Sequence, residues 1–455
     1  MLLTIVAFIV ALGLLIAVHE YGHYRMAVAC GVKVLRFSIG FGHVLLRWQP
    51  RGSATEFTLC AFPLGGYVRM LDEREAPVDP AERHLAFNTQ PLRSRALIVA
   101  AGPLANLLLA VLLYTVVNWS AVQMAAPVLG RPVAASVAER AGLVGGERVE
   151  WVGFDGGERR VVHSFEDVRW LLTLAALTGR DVRLGLAGER GHEPTAGVLL
   201  SLAALDAGDT DSRLFERIGL VSPMSRPEIG EIAPGSAAER AGLRAGDLVL
   251  DMDGQPVTDA RQLRAWIRAS VQGDRAVTRR WRIERNGTII TLDVTPEAQQ
   301  QGGVTAGRIG AYVGAMPEMV TVRHGLLTGL ALGVEKTWDI SLLSVHTLGR
   351  MLVGKVSLKN LSGPVTIADY AGRSASVGLM SYLVFLALIS VSLGVLNLLP
   401  LPVLDGGHLM YYLWEGLTGR AVSDIWLERL QRAGIVVLAL MMSIALFNDL
   451  SRLLG

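Results

Sequence analysis

Residues 1–23 have the sequence MLLTIVAFIVALGLLIAVHEYGH, in which a run without charged residues leads directly into the motif HEYGH. A helix that crosses a lipid bilayer needs about 20 mostly apolar residues. We therefore expect a first membrane-spanning helix over residues 1–26, with the motif near its end. The alternative is a cleaved signal peptide, which would normally start with basic residues and end at a small-residue cleavage site. Neither feature is evident in this stretch.

The composition of the whole chain also indicates a membrane protein. Of its 455 residues, 51% are hydrophobic and only 18% are charged, and the mean hydropathy is +0.40. Further long uncharged runs predict membrane-spanning helices over residues 96–119, 374–404 and 433–449. The formal net charge of +2 argues against a nucleic-acid-binding protein, whose basic excess would normally be larger and clustered.

The first connecting region, residues 27–95, is basic and rich in β-forming residues. Between positions 24 and 95 the chain has ten Lys or Arg residues against six acidic ones, which predicts a cytoplasmic loop by the positive-inside rule. Residues 37–48 and 56–70 are rich in β-branched and aromatic residues and are broken by glycines. They predict a hairpin or small sheet that lies against the membrane.

The central region contains an internal repeat. The sequence AERAGL at residues 138–143 recurs at residues 238–243, and each copy is followed by a glycine, an acidic residue and a β-rich segment. Two copies at this separation predict duplicated soluble domains, over residues 120–215 and 216–300, each with a short helix, a glycine turn and a strand. After these two domains, apolar residues recur at helical spacing, but charged residues interrupt them. We therefore predict that residues 301–373 form a linker with amphipathic helices on the membrane surface.

The motif HEYGH is suited to binding a metal. His19 and His23 are one helical turn apart and share a face, so both imidazoles can bind one zinc ion while Glu20 handles the proton of a water molecule. A catalytic zinc needs a third protein ligand. Asp405 is the best candidate, because it follows the helix-breaking prolines of NLLPLPVLDGG, residues 397–407. The alternative is that Asp405 only caps the helix that follows.

The expected topology is consistent with this ligand set. If the first and third spanning helices both enter from outside, His19, His23 and Asp405 all lie toward the cytoplasmic side and can meet. Residues 405–432 then form the LDG motif and a cytoplasmic loop before the last spanning helix.

Together, these motifs resemble those of the site-2 intramembrane metalloproteases. The resemblance covers essentially the whole chain: HEYGH, GPLAN at residues 102–106, the two repeats, LSGPVTIA at residues 361–368, and NLLPLPVLDGG. It implies an α-helical membrane protein with four transmembrane helices. It also implies an inserted pair of PDZ-like α+β domains and a small membrane-associated β-hairpin or sheet.

The resemblance also implies roles for individual residues. Zn2+ would be bound by His19, His23 and Asp405, with Glu20 as the general base. Asn397 would stand near the site and help to hold the substrate backbone or the transition state. The glycines near residues 40–42 resemble those of a membrane-re-entrant loop that pairs with an unwound substrate.

The family further implies a location and partners. The protein would lie in the bacterial inner membrane, with its active site toward the cytoplasm and its PDZ-like domains in the periplasm. Its substrates would be single-pass membrane proteins within the lipid bilayer, such as an anti-sigma factor already trimmed by an upstream site-1 protease. Remnant signal peptides are a second implied substrate class.

Two other classes of function compete with this interpretation. A PDZ-bearing membrane scaffold without catalysis would retain the repeats but would not need Glu20 or Asp405. A transporter can also combine broken helices with an intramembrane acidic residue. Inverted membrane repeats would be expected in a transporter, whereas the repeat in this chain is soluble in character.

Overall fold

The computed structural model describes residues 2–154, 157, 159–187, 197–205, 212–301, 304–354 and 363–454. Two compact units are formed, one by residues 1–120 and 323–455 and the other by residues 121–322. The first two residues of LSGPVTIA, and parts of the first predicted repeat domain, lie outside the described residues.

The described residues form helices and strands along most of the chain. The helices are α1 (Leu2–Ala29), α2 (Leu92–Trp119), α3 (Val137–Arg140), α4 (Phe165–Thr178), α5 (Ser212–Ile218), α6 (Ala237–Arg240), α7 (Ala260–Ala269), α8 (Leu326–Leu352), α9 (Pro364–Val377), α10 (Leu379–Asn397), α11 (Asp405–Thr418) and α12 (Asp424–Leu454). The strands are β1 (Val34–Trp48), β2 (Glu56–Met70), β3 (Val122–Ala125), β4 (Val149–Phe154), β5 (Arg159–Val161), β6 (Val182–Leu186), β7 (Val198–Leu200), β8 (Ile229–Ile232), β9 (Leu248–Met252), β10 (Gln255–Pro256), β11 (Val271–Gln272), β12 (Arg275–Ala276), β13 (Arg279–Arg285), β14 (Thr288–Val294), β15 (Glu297–Gln301), β16 (Val304–Arg308), β17 (Ala311–Val313) and β18 (Met319–Val322).

Four helices of the first unit are long and apolar enough to cross a membrane, within the part of the chain that the structure describes. They are Leu2–Ala29, Leu92–Trp119, Leu379–Asn397 and Ile425–Ser451. The four predicted membrane helices are therefore confirmed as candidate spans. The third of them, α10, is shorter than the uncharged run at 374–404, because Gly378, with φ of 141°, separates it from α9.

The two helices α1 and α2 approach each other closely near the HEYGH motif. A β-carbon at Gly22 would lie 2.3 Å from the carbonyl oxygen of Ala101 and 2.8 Å from the β-carbon of Ala105. Only glycine fits at this crossing, so the two backbones come together here as in other small-residue helix contacts in membranes. The HEYGH motif is thereby placed directly against α2.

The predicted hairpin between α1 and α2 is present, and its two long strands bend. Ile39 of β1 pairs with Gly66 on one side and with Leu59 on the other, so the first half of β1 lies between the two halves of β2. Trp48, near the other end of β1, pairs with Phe57. The half of β2 that starts at Gly66 pairs on one side only in this register, and it forms an edge of the sheet.

The repeat in the second unit forms the local structure that the sequence predicts. The short helices α3 and α6 are each capped by a serine, Ser136 or Ser236, whose hydroxyl accepts a hydrogen bond from the backbone N–H three residues later. Strands β4 and β9 follow, and each lies within a four-stranded antiparallel sheet, ordered β5-β4-β6-β7 and β10-β9-β13-β14. A buried core around Trp281 supports the second sheet. The assignment of both halves as PDZ-like stays a prediction.

The second unit extends to Val322, into the region that the sequence predicts as a linker. It does so because β17 pairs with β8 and β18 pairs with β3, and both pairings join residues far apart in the chain. The amphipathic residues that follow form one long helix, α8, which packs along α2, with Gly329 against Trp119 and Gly333 against Thr115. Its position on a membrane surface stays a prediction.

Candidate metal centre

Three side chains from opposite ends of the first unit meet at one point. The Nε2 atoms of His19 and His23 lie 3.3 Å apart, and Oδ2 of Asp405 lies 3.2 Å from the first and 3.6 Å from the second. One potential ligand atom from each residue therefore lies within 4.8 Å of the others, and all three side chains are largely buried. Of the described residues, these three form the only such group of potential metal ligands.

Asp405 reaches this point because the chain folds back sharply in front of α11. Asp405 is the first residue of α11, after the non-helical segment 398–404. A β-carbon at Gly406 would lie 2.2 Å from the carbonyl oxygen of Leu399, and one at Gly407 would lie 2.3 Å from that of Leu401. The two glycines after Asp405 are therefore required for the tight contact between this segment and α11.

The electrostatics of Asp405 favour the ionised carboxylate. Burial raises its pKa, but hydrogen bonds and electrostatic attraction from His19 and His23 outweigh that effect and hold the pKa at about 2. A carboxylate beside two imidazoles is a donor set that suits zinc, which binds His nitrogen and Asp oxygen in catalytic sites with three protein ligands. The residues present thus fit a zinc ion.

Both imidazoles are supported from behind by α2. Nδ1 of His23 lies 2.9 Å from the carbonyl oxygen of Ile98, and Nδ1 of His19 lies 3.3 Å from the side-chain amide of Asn106. Gly102 lies between these positions, and a β-carbon there would come within 2.2 Å of Nε2 of His23. The GPLAN segment therefore shapes the space in which the two histidines sit.

Glu20 lies beside these three potential ligands, on the side that faces the β-sheet. A β-carbon at Gly66 would lie 2.7 Å from Cγ of Glu20, so the edge half of β2 passes directly against this side chain. An extended peptide could add to such an edge through main-chain hydrogen bonds. The structure thus brings an acidic side chain and an unpaired strand edge together beside the three potential ligands.

Asn397, the remaining residue predicted for the site, is the last residue of α10 and is half-buried. It precedes the segment that leads to Asp405, and its role stays a prediction. The contacts that sequence reasoning missed are those of Ile98, Asn106, Gly102 and Gly66. GPLAN, which places a polar residue and a proline within an apolar run, was a visible signal for Gly102 and Asn106, but the residues that they contact could not be read from the sequence.

The chain is similar to known proteins over nearly its whole length. The family model described as "Peptidase family M50" matches residues 7–441. A protein of Ralstonia nicotianae named "Putative zinc metalloprotease RSc1411" is 44% identical to this chain over 463 residues, which cover 99% of each sequence. The "Regulator of sigma-E protease RseP" of Escherichia coli is 40% identical over 460 residues, which cover 98% of each. The "Regulator of sigma E protease" of Salmonella typhi is 39% identical over the same length and coverage.

Proposed function

This chain belongs to peptidase family M50, and from that premise we propose that it is an intramembrane zinc metalloendopeptidase of the site-2 type. The observation that carries the proposal is the meeting of His19, His23 and Asp405 beside Glu20. Similar proteins that are named as zinc metalloproteases or as regulators of sigma-E protease support it.

In this proposal His19, His23 and Asp405 hold the zinc ion. When bound, zinc acts as a Lewis acid that polarises the scissile carbonyl and lowers the pKa of water to about 7. Glu20 accepts the proton of the attacking water and passes it to the leaving amine nitrogen. Asn397 helps to hold the substrate backbone near the site.

The substrate has to be extended before it can be cut, because the carbonyl groups of a helix are engaged in its own hydrogen bonds. We expect the unwound stretch to pair with the edge of β2 that starts at Gly66. Main-chain hydrogen bonds to this edge would replace those that the helix loses. Because Gly66 contacts Glu20, a peptide on this edge would lie next to the general base.

The proposed substrates are single-pass membrane proteins whose outer domain an upstream site-1 protease has already removed. An anti-sigma factor in envelope stress signalling is one such substrate, and a remnant signal peptide is another. We place the protein in the bacterial inner membrane, with the metal centre toward the cytoplasm. The second unit would then lie in the periplasm, where two PDZ-like domains would select substrates by the size of their outer part.

The decisive test is the substitution Glu20→Gln. The purified full-length protein and a truncated single-pass substrate are reconstituted in liposomes, and cleavage and bound zinc are both measured. Loss of a general base slows proton transfer, so cleavage should fall by about 100- to 10,000-fold while zinc remains bound. Tyr21→Phe is the matched control, because Tyr21 is adjacent on α1 and exposed, and it should cleave at the normal rate. Cleavage by Glu20→Gln at the rate of the unmodified protein would contradict the mechanism.

A further inference from the structure

The two imidazoles of the metal centre are oriented by different kinds of partner. Nδ1 of His23 faces a backbone carbonyl, that of Ile98, at 2.9 Å. Nδ1 of His19 faces the side-chain amide of Asn106 at 3.3 Å. Both Nε2 atoms point toward Asp405. The difference matters because the partner at Nδ1 decides which nitrogen of a neutral imidazole carries the proton.

For His23 the geometry fixes the tautomer. A carbonyl oxygen can only accept a hydrogen bond, so Nδ1 of His23 must carry the proton and donate it to Ile98. Its Nε2 then keeps a free lone pair, which a metal ion can use. His19 has to meet the same condition if the two residues are to bind one ion through Nε2.

Asn106 offers both a donor and an acceptor to His19. In the structure Nδ2 of Asn106 faces Nδ1 of His19, while Oδ1 is buried and has no hydrogen-bond partner. In that orientation Nδ1 is the acceptor, and Nε2 of His19 carries the proton toward Asp405. A half-turn of the amide brings Oδ1 to Nδ1, which moves the proton to Nδ1 and frees Nε2.

We propose that Asn106 is the positioning residue of His19: its Oδ1 accepts the Nδ1–H hydrogen bond and thereby selects the tautomer that binds zinc through Nε2. This inference rests on the proposed zinc protease function. Partners of this kind behind a metal-binding histidine typically change metal affinity by about 10- to 100-fold when they are removed. The atom that would accept this hydrogen bond is Oδ1, which is buried and has no hydrogen-bond partner in the structure.

The surroundings of Asn106 hold it in place for this role. The residue is fully buried, and its backbone carbonyl accepts a hydrogen bond of 2.7 Å from the hydroxyl of Ser390 on α10. Asn106 thus lies between α1, which carries His19, and α10, which leads toward Asp405. Rotation of the side-chain amide about the Cβ–Cγ bond is enough to place Oδ1, instead of Nδ2, next to Nδ1 of His19.

The test measures zinc affinity in the full-length protein by competition with a chelator, in three variants. Asn106→Leu removes the acceptor and keeps the side chain at nearly constant size. Asn106→Ala also removes the acceptor, and its smaller side chain covers the case in which leucine does not fit. Asn106→Asp retains an acceptor for Nδ1–H. Asn118→Leu is the matched control, since Asn118 lies on the same helix but bonds to Gly329 on α8, away from the metal centre.

We expect Asn106→Leu and Asn106→Ala to bind zinc about 10- to 100-fold more weakly, and Asn106→Asp and Asn118→Leu to remain within about threefold of the unmodified protein. Absorption spectra with cobalt in place of zinc should shift only in the two variants that lack an acceptor. Normal affinity in Asn106→Leu or Asn106→Ala, or an equal loss in Asn106→Asp, would overturn the inference. Failure of the unmodified protein to bind zinc would instead refute the proposed function.

Discussion

Gly102 and His23 are in contact so close that a single added methyl group at position 102 would lie 2.2 Å from the imidazole Nε2. The same glycine would also bring its β-carbon within 2.8 Å of Cδ2 of that ring. Because carbon and nitrogen atoms cannot approach to this distance, the ring would have to move. The space for the imidazole of His23, a proposed zinc ligand, is therefore set by the absence of a side chain at position 102 of α2.

The first prediction concerns this contact. Gly102→Ala should displace the ring of His23 and weaken zinc binding by about tenfold or more, with a matching loss of cleavage. Bound zinc is measured by elemental analysis after dialysis against a weak chelator. Gly13→Ala on α1 is the control, because a β-carbon there meets no atom within 4 Å, and it should retain zinc and activity. Unchanged zinc content in Gly102→Ala would show that the contact does not set the position of His23.

The second prediction distinguishes an effect on Glu20 from an effect on the proposed zinc ligands. A β-carbon at Gly66 would lie 2.7 Å from Cγ of Glu20 and 2.8 Å from the backbone oxygen of Ser38. Gly66→Ala should therefore shift Glu20, the proposed general base, and a displacement of about 1 Å can slow catalysis by about 100-fold. Zinc should stay bound, because Glu20 is not one of its proposed ligands. If Gly66→Ala loses zinc to the same extent as Gly102→Ala, the contact of Gly66 with Glu20 and the contact of Gly102 with His23 do not have separate effects.

A third prediction concerns Asp449, a buried carboxylate on the last helix. It accepts hydrogen bonds from the backbone N–H groups of Gly363, Val365 and Thr366 at 2.9–3.2 Å, and also one from the Thr366 hydroxyl. It therefore caps the N-terminus of α9, a helix that packs against α1. Asp449→Ala would leave these donors buried without an acceptor, and it should destabilise the first unit by about 2–4 kcal/mol.

Thermal unfolding in detergent measures this effect. Thr366→Val is the matched comparison, because it removes only the hydroxyl bond and leaves the backbone cap, so its cost should be about 1 kcal/mol. Equal melting temperatures for Asp449→Ala and the unmodified protein would mean that water or another group satisfies the helix end.

The fourth prediction compares two ion pairs in the second unit. Asp247 is completely buried and forms two hydrogen bonds of 2.7 Å with the guanidinium of Arg285. These bonds also raise the pKa of Arg285, so its guanidinium stays charged. Arg285→Ala would leave a buried carboxylate without its cation, at a cost of about 2–3 kcal/mol after allowance for the partial exposure of Arg285.

Arg280→Ala is the control for this prediction. Its partner is Asp293, at 3.5 Å, and both side chains are more than half exposed, so its loss should cost less than about 0.5 kcal/mol. Hydrogen exchange of the β9 amides in the full-length protein measures both variants. Similar exchange rates in the two would show that burial does not decide the strength of these pairs.

The sequence by itself predicted the features that depend on local patterns. Long uncharged runs identified four candidate membrane helices, because the thickness of the bilayer sets how many apolar residues a span needs. Helical periodicity placed His19 and His23 on one face, and the AERAGL repeat predicted a short helix, a glycine turn and a strand twice. Asp405 could be named as the partner of the histidines because an acidic residue stands out at the end of an apolar run.

Only the tertiary structure decided which distant groups surround these residues. Ile98 and Asn106 support the histidines from α2, Gly66 lies against Glu20, and Asp449 caps a helix that begins 85 residues earlier, at Pro364. The physical reason is that such contacts depend on how helices cross and where a strand bends, through close approaches that only glycine permits. Local periodicity in the sequence does not predict these contacts, so the positions of the proposed zinc ligands and of the proposed general base are properties of the packed chain.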